Sequence, residues 1–414
     1  MTTRRRDMAA ASPYDSPTDN TPRSGSVKIS VSVTRTTRMT TTFAGRATGR
    51  AWRAARALSL ALALASCGGD GGGGQTVGPP PGPTDKQYVN PVINADFPDP
   101  SVMKASDGNY YAYATQTTGV RLQVARSSDL VTWTRLGESM PVKPTWASES
   151  QNFWAPDVEE RDGHFVMYFS AQIDASKRIN AGDGFCIGMA TATSAAGPFT
   201  DVGAPVVCGP GFTTIDPMGF DDPQSGKRYL YWGSDGGPIK VQELNADRHT
   251  FVTGSTAMPL LSPRAGNDPS AYDTGLIEGP WVTYVAPWYY LYYSGNGCCG
   301  AGAHYAVMVA RSSSPTGPFT VHTSGTSTTA QPILRAGGPW LAPGHNSTVN
   351  DAAGNEWMVY HAIAASNPYL IPGRTDISRR PMLIDRITYV DGWPTVGVNA
   401  TPSSTPQTRP ATSP

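Results

Sequence analysis

Along most of this chain the apolar positions fall in short alternating runs, and no stretch carries a long 3.6-residue period. Five segments repeat one theme, a turn followed by an aromatic-rich strand. They are Asp107–Thr115 (DGNYYAYAT), Asp162–Ser170 (DGHFVMYFS), Ser225–Ser234 (SGKRYLYWGS), Ala286–Ser294 (APWYYLYYS) and Ala353–His361 (AGNEWMVYH). With Gly108, Gly163, Gly226, Pro287 and Gly354 as markers, the copies lie 55, 63, 61 and 67 residues apart. A second strand-like run follows each, such as Leu122–Arg126 or Val307–Arg311, and then a turn bearing Trp or Phe, as in Asp129–Trp133, Ala196–Phe199 and Pro315–Phe319. A unit of roughly 60 residues with several short strands and Gly/Pro turns predicts a four-stranded blade. Runs apolar on both faces suit strands buried near an axis. Five units predict an all-β fold, a five-bladed β-propeller over residues 88–400; a pair of β-sandwiches would not space five copies so evenly.

The N-terminal part follows different rules. Ala57–Ala65 (ALSLALALA) is a nine-residue apolar run behind Arg46, Arg50, Arg53 and Arg56, the order of a secretory signal, and too short to span a bilayer. Leu64-Ala65-Ser66-Cys67 also resembles a bacterial lipoprotein signal, which predicts export and an outer-membrane lipid anchor through Cys67, at the cell envelope or outside the cell. Residues 68–87 (beginning GGDGGGGQTVGPPPGP) read as a flexible linker. Met39 stands a suitable distance upstream of the arginines, so residues 1–67 divide into a non-native extension before Met39 and the signal itself. Thr401–Pro414, rich in Pro, Ser and Thr, predicts a disordered tail.

Removing the leader changes the charge picture. Residues 1–66 hold eleven Lys and Arg against three Asp, so the formally neutral chain becomes 21 basic and 29 acidic residues beyond them. That mildly acidic balance excludes a basic surface for nucleic acid. Export makes disulfides admissible: Cys186 and Cys208 lie on neighbouring predicted strands, and Cys298-Cys299 are adjacent in a Gly-rich loop. Metal binding by these four is disfavoured by the lack of a CxxC spacing or His pair.

Carboxylates stand at matching places before the repeats. Asp99 lies in DFPDPS ahead of the first, Asp157 in FWAPD ahead of the second, Asp216 in TIDP ahead of the third and Glu278 in IEGPW ahead of the fourth. Any one of these is ordinary turn chemistry. Four in register with the repeat point to side chains gathered at the mouth of one central cavity.

The whole of residues 88–395 resembles glycoside hydrolase family 43, through NPVINADFPDPSV (90–102), FWAPDV (153–158), TTIDPMGFDD (213–222), LIEGPWV (276–282) and APGHNSTV (342–349). The WxNDPNG and RDP motifs of invertase-type propellers are absent. The resemblance implies a five-bladed propeller cutting arabinose- or xylose-containing plant-type polysaccharides or oligosaccharides. It implies Asp99 as general base, Glu278 as general acid and Asp216 as the third carboxylate, which orients the acid and raises its pKa. Two carboxyls spaced for an intervening water imply inversion. It further implies substrate binding by Trp154, Phe153 and Asp157, and an axial His345 beside a structural calcium-type ion, with no cofactor required for the chemistry. Alternation points Trp281 away from the cavity. The Gly295–Ala303 loop (GNGCCGAGA) is a candidate wall. Among substrates the motif set resembles the arabinan-active branch; β-xylosidase, galactan exo-hydrolase and a non-catalytic glycan-binding propeller are the other readings.

Overall fold

The computed structural model describes residues 86–149, 152–266 and 268–413. The expected signal peptide, Cys67 and nearly all of the expected linker therefore lie outside the described residues. Among the described residues the only helix is one 3-10 turn, Ala175–Lys177. The rest is a five-bladed β-propeller, each blade an antiparallel sheet whose strands run in sequence order from the axis outward. Blade I comprises Ser101–Lys104, Tyr110–Ala114, Gln123–Ser127 and Trp133–Glu138. Blade II comprises Phe153–Arg161, His164–Gln172, Asp183–Ala192 and Val207–Pro210, with the short Thr200–Asp201 also on its third strand. Blade III is Met218–Asp221, Arg228–Trp232, Ile239–Leu244 and Met258–Leu261. Blade IV is Ile277–Val285, Trp288–Gly295, Ala306–Ser312 and Thr320–Val321, and blade V is Trp340–Asn350, Glu356–Ala364, Met382–Val390 and Trp393–Val396.

The five aromatic repeats are the second strands of the five blades. Sandwiched between neighbouring strands and packed on both faces, they are almost wholly buried; Tyr110–Ala114 has no exposed residue. Their side chains fill the spaces between blades in a closed cycle. Tyr113, Met167 and Phe169 share the I–II core, Tyr168 and Trp232 the II–III core, and Tyr231 and Leu291 the III–IV core. Tyr292 and Tyr360 share the IV–V core, and Tyr110 and Val359 the core between V and I. Buried phenols need partners, and four find them in the next blade. Tyr113, Tyr168, Tyr231 and Tyr290 donate to the carbonyls of Ala195 (2.6 Å), Arg248 (2.7 Å), Pro315 (2.6 Å) and Gly392 (2.7 Å).

Closure joins the two ends of the domain. Gln87–Tyr88 pairs antiparallel with Gln407–Thr408, Ile93 bridges Met382, and Asn90 Nδ2 donates to Ser403 Oγ at 2.9 Å. The segment expected to be a disordered tail is thus part of the closure. Its composition was misleading because the segment finds distant partners that composition does not reveal: the Ser403 amide donates to Asp385, that of Arg409 to the Lys86 carbonyl and that of Ala411 to Asp351. The linker expected to run to residue 87 likewise stops short of that pairing. Cys186 and Cys208, paired across the third and fourth strands of blade II, form a disulfide, and so do Cys298 and Cys299.

Candidate active site

Each blade brings one residue with a left-handed backbone to the axis, just ahead of its inner strand or within it. These are Asp99 (φ 54°), Ala155 (φ 45°), Asp216 (φ 59°), Gly279 (φ 59°) and His345 (φ 50°). Four precede proline and the fifth precedes Asn346. Non-glycine residues in this region cost about 1–3 kcal/mol each and persist only where the surroundings fix them. Here the surroundings are the last residues of the five repeats, Thr115, Ser170, Ser234, Ser294 and His361, all buried. The amide of Ala155 donates to Thr115 Oγ1 (2.8 Å), that of Asp216 to Ser170 Oγ (2.9 Å), that of His345 to Ser294 Oγ (2.8 Å) and that of Asp99 to His361 Nδ1 (3.1 Å). Each is a link from the second strand of one blade to the first strand of the next. In blade IV the pattern shifts by one residue. Ser234 Oγ donates to the Glu278 carboxyl at 2.6 Å, and the Gly279 amide donates to Asp216 Oδ2 at 3.1 Å.

Above this ring opens a pocket of ≈ 290 Å³. Its floor carries Asp99, Asp216, Glu278, His345, Arg380 and Ser234; its walls carry Trp154 and Phe212 from blade II and the turn after it, and Cys298 and Cys299 after the second strand of blade IV. Glu278 and Trp154 hold equivalent places, one residue before the left-handed position and at a bulge in their strands. Asp99, Asp216 and Glu278 are therefore together, as their register with the repeat predicts, and His345 and Trp154, expected from the family resemblance, join them.

The environments of the three carboxyls differ. Burial alone would raise Asp99, but the Arg380 guanidinium first, and His345 after it, outweigh it and hold the carboxyl well below the usual range. Arg380 Nη1 donates to Asp99 Oδ1 at 2.9 Å and Thr115 Oγ1 to Oδ2 at 2.6 Å. His361 lies with Nδ1 3.1 Å from the Asp99 amide and 3.2 Å from its carboxylate. Burial lowers the imidazole to about 4, so the ring is neutral near pH 7. The amide can only donate, so Nδ1 accepts and Nε2 carries the proton. Asp216 goes the other way, pushed well above the usual range by burial and then by the charges of Glu278 and Asp99. Glu278 accepts from Tyr305 Oη at 2.8 Å as well as from Ser234. His345 Nδ1 stands between the other two acids, 3.5 Å from Asp99 Oδ1 and 4.0 Å from Asp216 Oδ2. Gly344 is required beneath this site, since a Cβ there would lie 2.1 Å from the Tyr305 ring.

Two expected sugar contacts lie elsewhere. Phe153 is 1 % exposed and packs on Phe169 in the I–II core, because side chains alternate along a strand and its neighbour Trp154 takes the pocket face. Asp157, two residues past the left-handed Ala155, joins three blades, accepting from Ser101 Oγ (3.1 Å) and the Gly219 amide (2.8 Å). Burial pushes its carboxyl up to about 6. Trp281 also stays out of the pocket, donating from Nε1 to Thr348 Oγ1 at 3.1 Å. Arg380, Thr115, Phe212, Asp235 and Tyr305 are site residues that the sequence reading did not single out. Thr115 alone carried a signal, as the final residue of its repeat.

For an axial calcium the protein donors are few. Calcium takes about 6–8 oxygens, whereas Asp157 is committed to Ser101 and Gly219, and Asp99 to Arg380 and Thr115. Asn346, buried with neither amide atom hydrogen-bonded, offers one oxygen. Among the described residues no group of three or more His, Cys, Asp or Glu has a metal-holding arrangement. A calcium here would draw most of its shell from water.

Comparison with known proteins agrees with this fold. The chain is 31% identical over 316 residues to the extracellular endo-α-(1→5)-L-arabinanase 1 of Bacillus subtilis (strain 168), covering 72% of this chain and 86% of that protein. It is 26% identical over 291 residues to an extracellular exo-α-(1→5)-L-arabinofuranosidase of Cellvibrio japonicus (strain Ueda107), covering 66% and 81%. The crystal structure of a thermostable family-43 glycoside hydrolase superposes with a TM-score of 0.62 at 27% identity, covering 78% of this chain and 99% of that one. The family profile for glycosyl hydrolases family 43 matches residues 88–394, the five inner strands and Asp99, Asp216 and Glu278 included, and the chain belongs to that family of glycosidases.

Proposed function

We propose that this glycosidase hydrolyses α-1,5-linked L-arabinofuranosyl bonds of arabinan with inversion, using Asp99 as general base and Glu278 as general acid. The observation that carries the reading is the contrast between acids gathered in one pocket: Asp99 is kept ionised by Arg380, while a proton is favoured at Asp216, beside Glu278. A base must be ionised at the working pH, as Arg380 keeps Asp99, and Asp216, where a proton is favoured, stands next to the residue given the acid role. Asp99 draws a proton from a water on one side of the anomeric carbon. Glu278, in a non-adjacent blade, delivers a proton to the leaving oxygen. Asp216 holds the peptide after Glu278 through the Gly279 amide, so it orients the acid. His345, between Asp99 and Asp216, supports the charge arrangement and is not assigned a proton transfer. Trp154, stacked on Phe185 at 4.5 Å, offers the flat apolar surface on which a sugar face rests. The chemistry so written calls on no cofactor.

The substrate class follows the relatives, which are named as arabinan-cleaving enzymes acting on α-(1→5) linkages. Their extracellular action, with the Arg-flanked apolar run before Cys67, supports export of this chain and attachment through that cysteine. The test is hydrolysis of debranched 1,5-α-arabinan, xylan and galactan by the native protein, Asp99→Asn and Glu278→Gln. Arabinan turnover that falls about 10²–10⁴-fold in each variant is expected. Turnover of xylan or galactan alone would replace the substrate. Binding without turnover in the native protein would make it a glycan-binding propeller.

A further inference from the structure

The bond between Cys298 and Cys299 has no evident stabilising purpose. A disulfide stabilises chiefly by closing a long loop in the unfolded chain, and these residues are neighbours, whereas Cys186–Cys208 spans 22 positions. Its effect must be local, and both of its residues line the pocket that holds Glu278. Joining the two thiols removes their donors and leaves a stiff, polarisable, apolar surface.

That surface is held firmly from two blades. On the blade IV side, the Gly297 carbonyl accepts from the His304 amide at 2.8 Å, and the His304 ring stacks on Tyr272 at 4.2 Å. On the blade V side, the Gly300 amide donates to Ser378 Oγ at 2.9 Å. Cys298 is half-buried against Tyr305, Ala342 and Ile363, while Cys299 is exposed. The acids around the axis, His345 and Arg380 supply most of the pocket's polar groups, Asp235 lies beside Phe212, and the apolar lining comes from non-adjacent blades, Trp154 and Phe212 on one and the disulfide on the other. A pentose lowered between such walls turns its hydroxyls to the acids and its C–H face to sulfur.

We propose that the Cys298–Cys299 disulfide is a substrate-contacting, specificity-determining wall that packs against the apolar face of a pentose ring next to the bond Glu278 protonates. This rests on the arabinan-cleaving reading. Cys298→Ser/Cys299→Ser replaces the sulfur face with two hydroxyls that retain water. Losing one well-placed apolar contact weakens discrimination about tenfold or more, so KM for 1,5-α-arabino-oligosaccharides should rise about tenfold, with a much smaller change in kcat. Reducing the folded native enzyme with a phosphine should raise KM likewise, and reoxidation should restore it; this arm does not depend on folding of the variant. A Cys186→Ala/Cys208→Ala enzyme should respond to the phosphine as the native one does. Unchanged KM, or two free thiols at these positions in the native protein by alkylation and mass spectrometry, would overturn the proposal. So would a fall in kcat with KM unmoved, since that places the loop's effect on Tyr305 and the acid. A native enzyme inert on every arabino-oligosaccharide would overturn the underlying reading, and this one with it.

Discussion

Arg380→Met removes the cation that sets the protonation of Asp99. The guanidinium lies 2.9 Å from Asp99 Oδ1, and both groups are nearly buried. Two unit charges about 4 Å apart at an effective dielectric near 20 interact by about 4 kcal/mol, equivalent to roughly 3 pKa units. Carboxylates beside arginine are ordinarily depressed by about 1–3 units. Without Arg380 the burial of Asp99 works unopposed by its strongest counter-charge, so its pKa rises. The base is active when ionised, and the acidic limb of kcat/KM against pH should therefore move upward by about 1–3 pH units, with activity recovered at higher pH. Profiles on 1,5-α-arabinotriose measure this directly, because kcat/KM reports the free enzyme. A companion melt guards against misfolding. Wild-type Asp99, held below its unfolded pKa, contributes stability that is present above about pH 4 and lost as pH falls, so the deficit of the variant relative to wild type should be largest near neutral pH and shrink below about pH 4. A limb that stays in place while the plateau falls would refute the assignment of Asp99 as the base governed by Arg380.

Three further outcomes follow from the frame around the site. Ser170→Ala strands the buried Asp216 amide, which should cost about 1–3 kcal/mol by denaturant titration and lower kcat more than KM. Cys186→Ala/Cys208→Ala opens a crosslink across 22 positions and should cost about 3 kcal/mol, again read from denaturant midpoints. His361, lowered to about 4 by burial, takes up its proton later than the unfolded chain does, so it contributes stability above pH ~6.5 that is lost as pH falls towards 4. His361→Gln should therefore flatten the stability profile across that window by at most about 1.4 kcal/mol per pH unit.

The repeats proved legible because burial between strands forces an aromatic, two-sided pattern, and the five copies are the second strands of the five blades. Their final residues carry a further signal in the sequence: Thr115, Ser170, Ser234, Ser294 and His361 all reach the inner strand of the following blade. The carboxyls were legible for the same reason, since register with the repeat places them on the axis. Phe153 and Asp157 show where motif proximity misleads. Neighbours on a strand face opposite ways, and two residues past a bulge the chain has left the pocket. Arg380 had no register to betray it. It sits after the second strand of the last blade and meets Asp99 only because the ring closes, a contact separated by 281 positions in sequence. The C-terminal segment was hidden likewise, its polar composition being compatible with closure once Asn90, Asp351 and Asp385 are near.

The most direct test of two carboxyls acting on opposite faces of the sugar is the configuration of the first product. Proton NMR during hydrolysis of 1,5-α-arabino-oligosaccharides follows the anomeric signal before mutarotation. Initial release of the β-anomer is the predicted result, with Asp99 activating a water opposite the bond that Glu278 protonates. Initial release of the α-anomer would contradict the account, because retention requires a carboxylate nucleophile in place of that water.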